Sequence, residues 1–521
     1  MPRRLVDCRK KRNCFIAIPE RFFWFKVAAS ALQGEKSRKR EAHCLGWQLG
    51  ACQKGASERI VETGDGFAIV QLPGGKKQYK ITCFPRLSAE EEELLARVLD
   101  GFIAGENCAG GARGDIKKFF RAYCVSNLIS LEKQQVKYLL DALQREVGGF
   151  GPLDCLFSDS GIEEIAVIGT GPEKPVFVFR VGHGWLPTNL HFNTANYVRD
   201  LANKMARGIG RRLSMQHPVL NANLADGSRL SAAIPPVVSF GEPSLTIRRF
   251  RQQPFSPAQL VENRTFSCGA MALLWIAMQC DCSLLLAGNT GSGKTSSLNA
   301  LFSFVPESER IVAVEETPEI QLPHRHVVRL GVVKEQGITM QDLIVESLRM
   351  RPDRIVVGEV RSGEEVGAFI DTLLAGQGKG SYATFHSQSA REAISRMRSL
   401  GVMPLDLCAI DLVVVQRRWN RADCRSGAGQ EVRRVTEIGE LAEKNSGVAL
   451  NMLFSFDYAR DCLAPVNRSV AVKEKAMRAF SFGEAGWEKE LERRERLLGE
   501  IGGRGNGFRE FFEAVNRGGG F

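Results

Sequence analysis

The stretch that decides the fold is CSLLLAGNTGSGKTSSLNALFSFV, running from Cys282 to Val305. A short apolar run of β type closes on GNTGSGKT, and a helical pattern with Leu298, Leu301 and Phe302 on one side follows it. The eight residues Gly288 to Thr295 fit G-x-x-x-x-G-K-[ST], with Asn289, Thr290, Gly291 and Ser292 in the free positions. Glycines let the backbone amides curl around a phosphate, and the start of the next helix adds its positive dipole end. Lys294 is then expected to reach the terminal phosphates of ATP, and Thr295 to offer a hydroxyl to Mg2+. A plain glycine-rich turn is the competing interpretation, which the flanking strand and helix argue against.

A phosphate cradle binds a nucleotide, whereas hydrolysis also needs carboxylates that hold the metal and orient a water. Two segments place acids directly after apolar runs. In RIVAVEETPEIQLP the run Ile311–Val314 ends in Glu315 and Glu316, with Glu319 behind; in RPDRIVVGEVRSGEE the run Ile355–Val357 ends in Gly358-Glu359, followed by Arg361. In an open parallel sheet the ligand lies beyond the carboxyl ends of the strands, so these acids are expected to converge on the P-loop. A third run, GSYATFH, delivers His386 to the same edge. Ser362 with Glu365 is expected to form a capping box rather than to do chemistry.

Working outward, the chain has 521 residues, 44% apolar and 25% charged, enough for two or three domains. Its net charge is +11, which alone suggests a polyanionic partner. Residues 1–60, however, hold fourteen basic and five acidic side chains, so the arm carries +9 and the remainder +2. A chain-wide nucleic-acid groove is not expected, and the arm reads as a local tether to an anionic membrane face or acidic partner. The segment Cys14–Leu32 is broken by Glu20, Arg21 and Lys26, so no membrane span or secretory signal is expected. The fourteen cysteines are scattered without zinc spacing and read as free thiols, and His324-x-His326 reads as a surface pair beside Pro323.

Composition shifts divide the chain into six parts. They are a basic, irregular arm (1–85), a helical block (86–148) opened by a Ser88/Glu91 capping box, an α+β domain (149–250), a linker (251–262), a P-loop α/β domain with a parallel sheet (263–465), and a charged helical tail (466–521). The α+β part includes one long helix, Ala195–Leu213, with Val198, Leu201, Met205 and Ile209 on one face.

Taken in order, these segments resemble the secretion and type IV pilus ATPase superfamily, in its archaeal-type branch. GNTGSGKT looks like the Walker A loop, VEETPEI resembles the acidic Asp box, LRMRPDRIVVGEVRSGEE its atypical Walker B region, and ATFHSQSAREAISRM its His box. The resemblance extends over roughly 85–460, including GPLDCLFSDSGIEEIAVIG and DGSRLSAAIPPVVSFGEPSLTIRRF. Three departures stand out: Glu316 replaces the usual aspartate, Lys379 stands where the first His-box histidine is usual (Gln377-Gly378-Lys379), and no tetracysteine module is present. The resemblance implies a RecA-like ATPase domain, with Glu359 as catalytic carboxylate, Glu315, Glu316 and Glu319 as its acidic support, and His386 as a phosphate sensor. It further implies Mg2+ held through Thr295, Glu316 and Glu359, and arginines of the preceding domain over the nucleotide, for which Arg207, Arg212, Arg229 and Arg248 are candidates. As implied function it gives a cytoplasmic, hexameric motor at the inner face of the membrane. Such a motor docks on a polytopic membrane platform and powers pilus-like filament assembly or protein secretion, without nucleic acid or zinc. A conjugation-type nucleic-acid translocase and a nucleotide-binding scaffold without turnover stay open as alternatives.

Overall fold

The computed structural model describes residues 46–50, 58–84, 87–105, 115–238, 241–250, 253–333, 336–376, 378–422, 429–444, 447–502 and 507–517. The basic runs at 9–12 and 36–40, and Gln377, lie outside the described residues.

The first half is built on one apolar core running from Trp47 to Ile247. Strand β1 (Trp47–Leu49) is followed by an antiparallel meander of β2 (Arg59–Gly64), β3 (Phe67–Gln71) and β4 (Lys77–Ile81). This corrects the expectation of an irregular arm over the whole of 1–85. Alternation explains the strands: Phe67, Ile69, Tyr79 and Ile81 are buried on one face. Arg180 ties the meander down, donating to both oxygens of Glu62 at 2.9 and 2.7 Å and lying 4.8 Å over the ring of Phe67. Helices Ala89–Ala104, Ile116–Ser126 and Lys133–Gly148 follow, the first opened by the Ser88/Glu91 capping box as expected.

A six-stranded antiparallel sheet comes next: β5 (Ile162–Val167), β6 (Phe177–Arg180), β7 (Gly184–Pro187), β9 (Val219–Asn223), β10 (Arg229–Ala233) and β11 (Ser244–Arg248), in the order β7-β6-β5-β11-β10-β9, while β8 (Leu190–Phe192) leaves it to pair with β1. The helix expected over 195–213 stops at Met205; a 3-10 turn and left-handed Gly210 (φ 72°) end it. Cys83 and Cys155 are disulfide-bonded, which corrects the free-thiol expectation for that pair.

The expected linker is partly helical, since Ser256 and Gln259 cap a short helix at Pro257–Glu262. Beyond it stands a nine-stranded sheet: β12 (Leu284–Gly288), β13 (Ile311–Glu315), β14 (Val327–Gly331), β15 (Arg354–Val360), β16 (Ser381–Phe385), β17 (Leu412–Ala422), β18 (Gly429–Lys444), β19 (Gly447–Asp457) and β20 (Cys462–Pro465). The order is β14-β13-β15-β16-β12-β17-β18-β19-β20, parallel from β14 to β17 and antiparallel from there on. The sheet is therefore mixed, with a parallel part that the sequence pattern anticipated. Every residue of β12, β13 and β16 is buried, because separate apolar clusters cover the two faces.

The charged tail is not a free solvated helix. Helices Ala471–Phe480, Glu484–Gly502 and Phe508–Arg517 join the core of the α/β domain through Val472, Trp487, Leu498 and Phe511. Arg494 is 2% exposed, lies 4.5 Å over Trp275 and pairs with Glu490. His324 is likewise buried rather than on the surface, its Nε2 3.1 Å from the Val305 carbonyl and its ring edge-on to Phe512. Among the described residues no helix is long and apolar enough to cross a membrane.

Candidate functional site

A cleft of about 1250 Å3 opens between the antiparallel sheet and the carboxyl edge of the parallel strands. Register sets up that edge. Phe385 is level with Ala287 on β12 and Val360 on β15, so Gly288, His386 and the end of β15 arrive together. Pairing is interrupted between Val357 and Val360 by a bulge that holds Gly358 and Glu359. A bulge re-aims a side chain out of the ladder, and here the Thr384 hydroxyl fixes it by donating to the Gly358 carbonyl at 2.6 Å.

The loop Gly288–Thr295 needs its glycines. A Cβ at Gly288 would stand 2.0 Å from the Gln416 carbonyl oxygen, and Gly293 takes φ 96° to start the helix Lys294–Leu301. Asn289 fastens the loop to β17 through two hydrogen bonds with the Arg418 backbone, each 3.0 Å. The hydroxyl of Ser292 is buried without a hydrogen-bond partner. Lys294 is 8% exposed and folds back, donating to the carbonyls of Gly288 at 3.1 Å and Asn289 at 3.3 Å. Burial pushes its ammonium pKa down, while the charges of Glu359 and Glu319 oppose that shift.

The expected acids separate into distinct positions. Thr295 donates to Glu319 at 3.2 Å, so Glu319 is the carboxylate beside the P-loop hydroxyl. Glu316 and Glu359 share Arg361 instead, which donates 2.7 Å to Glu316 and 2.9 Å and 2.5 Å to Oε2 of Glu359. Of the expected metal set, Thr295 is therefore partnered by Glu319, while Glu316 and Glu359 are joined through Arg361. Glu315 is 4% exposed, and its Oε1 accepts the amides of Glu319 and Ile320, both at 2.7 Å. Burial raises its pKa, and its carboxyl shapes the 316–320 loop.

His386 reaches the same place. Its Nε2 is 2.5 Å from Oε1 of Glu359 but off hydrogen-bond geometry, leaving that buried oxygen without a donor. Burial, and then the charge of Lys294, lower the pKa of His386, which favours the neutral ring.

Two of the four candidate arginines line the cleft. Arg229, on β10, pairs with Glu319 at 3.0 Å, and Arg248 lies directly across from it on β11. Arg207 and Arg212 do not; they stay exposed at and beyond the 3-10 turn, outside the cleft. Lys379 stands at the other end of β16, where its Nζ pairs with Glu309 at 3.0 Å, so it is no substitute for a histidine in this cleft. The residues that sequence reasoning missed are Arg418 and Arg433, both cleft-lining. Their only signal was the alternation of charge in QRRWNR and EVRRV.

Hard oxygen donors at Thr295 and Glu319, next to a phosphate-type loop, suit Mg2+, which typically takes one or two carboxylates and completes its shell with phosphate oxygens and water. Fold and cleft together define a RecA-like P-loop nucleotide-binding protein. Residues 153–455 match the family described as type II/IV secretion system protein. An uncharacterized protein of Methanocaldococcus jannaschii is 31% identical over 439 residues, covering 80% of this chain and 75% of its own length. The type IV secretion system protein VirB11 of Bartonella henselae is 28% identical over 312 residues, 53% of this chain and 84% of that protein. The crystal structure of the VirB11 ATPase from the Brucella suis type IV secretion system, in complex with sulphate, is similar at 26% identity and a TM-score of 0.28, over 56% of this chain and 92% of that one. The chain belongs to the type II/IV secretion system protein family, within the secretion ATPase superfamily, and the M. jannaschii relative fits its archaeal-type branch.

Proposed function

We propose that the protein is a Mg-dependent ATPase that works as a ring, six copies by the family resemblance. It would act at the inner face of a membrane on a platform protein, to drive filament assembly or secretion. The observation that carries the hydrolytic part is the convergence of Lys294, Thr295, Glu319, Glu359 and His386 on one cleft edge, with Arg229 reaching in from the other domain. Lys294 is preformed for phosphate, since its ammonium is hydrogen-bonded in the loop to two carbonyls that phosphate oxygens outcompete. Thr295 and Glu319 would hold Mg2+, whose charge would offset that of the phosphates. Glu359 orients the attacking water through Oε1, which accepts no hydrogen bond and has His386 Nε2 beside it, while Arg361 fixes Oε2. His386, kept neutral, stands beside that same oxygen and limits where the water can sit. Arg229 leaves Glu319 for phosphate when the cleft closes, which links the two domains.

A steady-state phosphate-release assay tests this. Wild type should turn over with Mg2+, and Lys294→Ala and Glu359→Gln should not; equal release by all three sinks the proposal. Nucleotide binding without turnover in the wild type would instead favour a scaffold. Hydrolysis stimulated by DNA, with a steep salt dependence, would favour a translocase.

A further inference from the structure

Strand β17 alternates two jobs along QRRWNR. Arg417, Trp419 and Arg421 serve one face, where Trp419 packs on Phe456 and Tyr458 and Arg421 pairs with Asp461 at 3.0 Å. Arg418 serves the other, facing the cleft. Its Nη1 would lie 2.8 Å from a Cβ at Gly291, so the guanidinium rests against the middle of the phosphate loop, and Asn289 pins its backbone to that loop.

Directly across the ladder from Arg418 stands Arg433 on β18. Like charges set opposite one another are unfavourable and need a counterion. Glu431 is that counterion for both, 3.6 Å from Arg418 and 3.1 Å from Arg433. Arg433 has a second partner on the other domain, donating to both oxygens of Glu163 at 3.0 and 2.8 Å. One unbroken chain of charges therefore runs from the P-loop through Arg418, Glu431 and Arg433 to Glu163, at the start of β5.

We propose that Arg418 is a positioning residue that reports phosphate occupancy of the P-loop to the preceding domain through Glu431, Arg433 and Glu163. This rests on the nucleotide site proposed above. Phosphate in the loop attracts Arg418 away from its long 3.6 Å pairing. Glu431 then belongs to Arg433 alone, and the grip of Arg433 on Glu163 loosens. Linkage makes the effect reciprocal: weakening the Glu163 end must change nucleotide affinity.

The test is equilibrium binding of a fluorescent ATP analogue with Mg2+ to the full chain, with thermal melting as the folding control. Arg418→Ala should weaken binding about tenfold, and Arg418→Lys should restore only part, because an ammonium lacks the planar fork. Glu163→Gln should tighten binding about threefold, since Arg433 then draws Glu431 away and frees Arg418. In the Arg418→Ala background the same change should be silent. A Glu163→Gln shift of equal size in both backgrounds, or none in either, overturns the proposal. If Arg418→Ala does not fold, Glu431→Gln replaces it, and Glu163→Gln should be silent there too. Lys294→Ala is the separate control: wild-type binding by that variant would overturn the nucleotide site itself, whereas loss of binding there with additive Arg418 and Glu163 effects overturns only the role of Arg418.

Discussion

The two ends of the parallel sheet each carry a cluster of arginine or lysine, glutamate and a ring, and they are built to opposite rules. At the amino end Arg354, 1% exposed, gives every nitrogen a partner: Glu309 at 2.7 and 3.4 Å, the Tyr382 hydroxyl at 2.6 Å and the Lys379 carbonyl at 2.8 Å. At the carboxyl end Glu359 keeps a buried oxygen without a donor, Ser292 keeps an unpartnered hydroxyl, and Lys294 spends its ammonium on loop carbonyls. Buried polar groups are normally satisfied. A sealed cluster holds strands together, and an unsealed one has partners still to come.

The contrast can be broken experimentally, and the sealed end should show the largest effect on folding. Arg354→Ala leaves Glu309 as a buried, poorly compensated charge and should cost about 3–5 kcal/mol in chemical denaturation. A cost near zero would mean the cluster is not sealed. At the open end Glu359→Gln should leave the denaturation midpoint nearly unchanged while lowering kcat at least about 100-fold; a large loss of stability with normal turnover would reverse the assignment of the two ends. Arg229→Ala, which removes the arginine paired with Glu319, should lower kcat/KM about tenfold, whereas Arg207→Ala should leave the single-site value unchanged. Equal effects would remove the distinction drawn from the cleft.

The smallest effect is a pH slope. Burial holds His324 below its ordinary pKa, so the folded chain binds its proton less readily than the unfolded chain. Stability is therefore intact above about pH 6.5 and falls below it, by up to about 1.4 kcal/mol per pH unit, until the folded-state pKa is reached. His324→Gln should flatten that slope in denaturation curves taken between neutral and mildly acidic pH. An unchanged slope would place the titrating group elsewhere.

Much of the α/β domain was legible because its signals are local. Gly288–Thr295, the apolar runs before Glu315 and Glu359, and the Ser362/Glu365 capping box each form within a few residues, and the structure shows that capping box with both of its hydrogen bonds. The meander at 59–81 was less legible, since its strands are short and its fastening to Arg180 crosses more than a hundred residues. The antiparallel extension β18–β20 was missed for a related reason: its strands are too polar to read as the buried runs of a parallel sheet.

The sequence by itself determined the phosphate loop, the order of the acids and the class of fold, because backbone conformation and strand burial follow from residue type over short windows. Only the tertiary structure decided where each acid stands and what it touches. A bulge turned out Glu359, a loop bonded to Glu315 brought Glu319 to Thr295, and the facing domain selected Arg229 and Arg248 from four candidates. Those choices depend on register between strands and contact between domains, and neither is encoded in the spacing of residues along one segment.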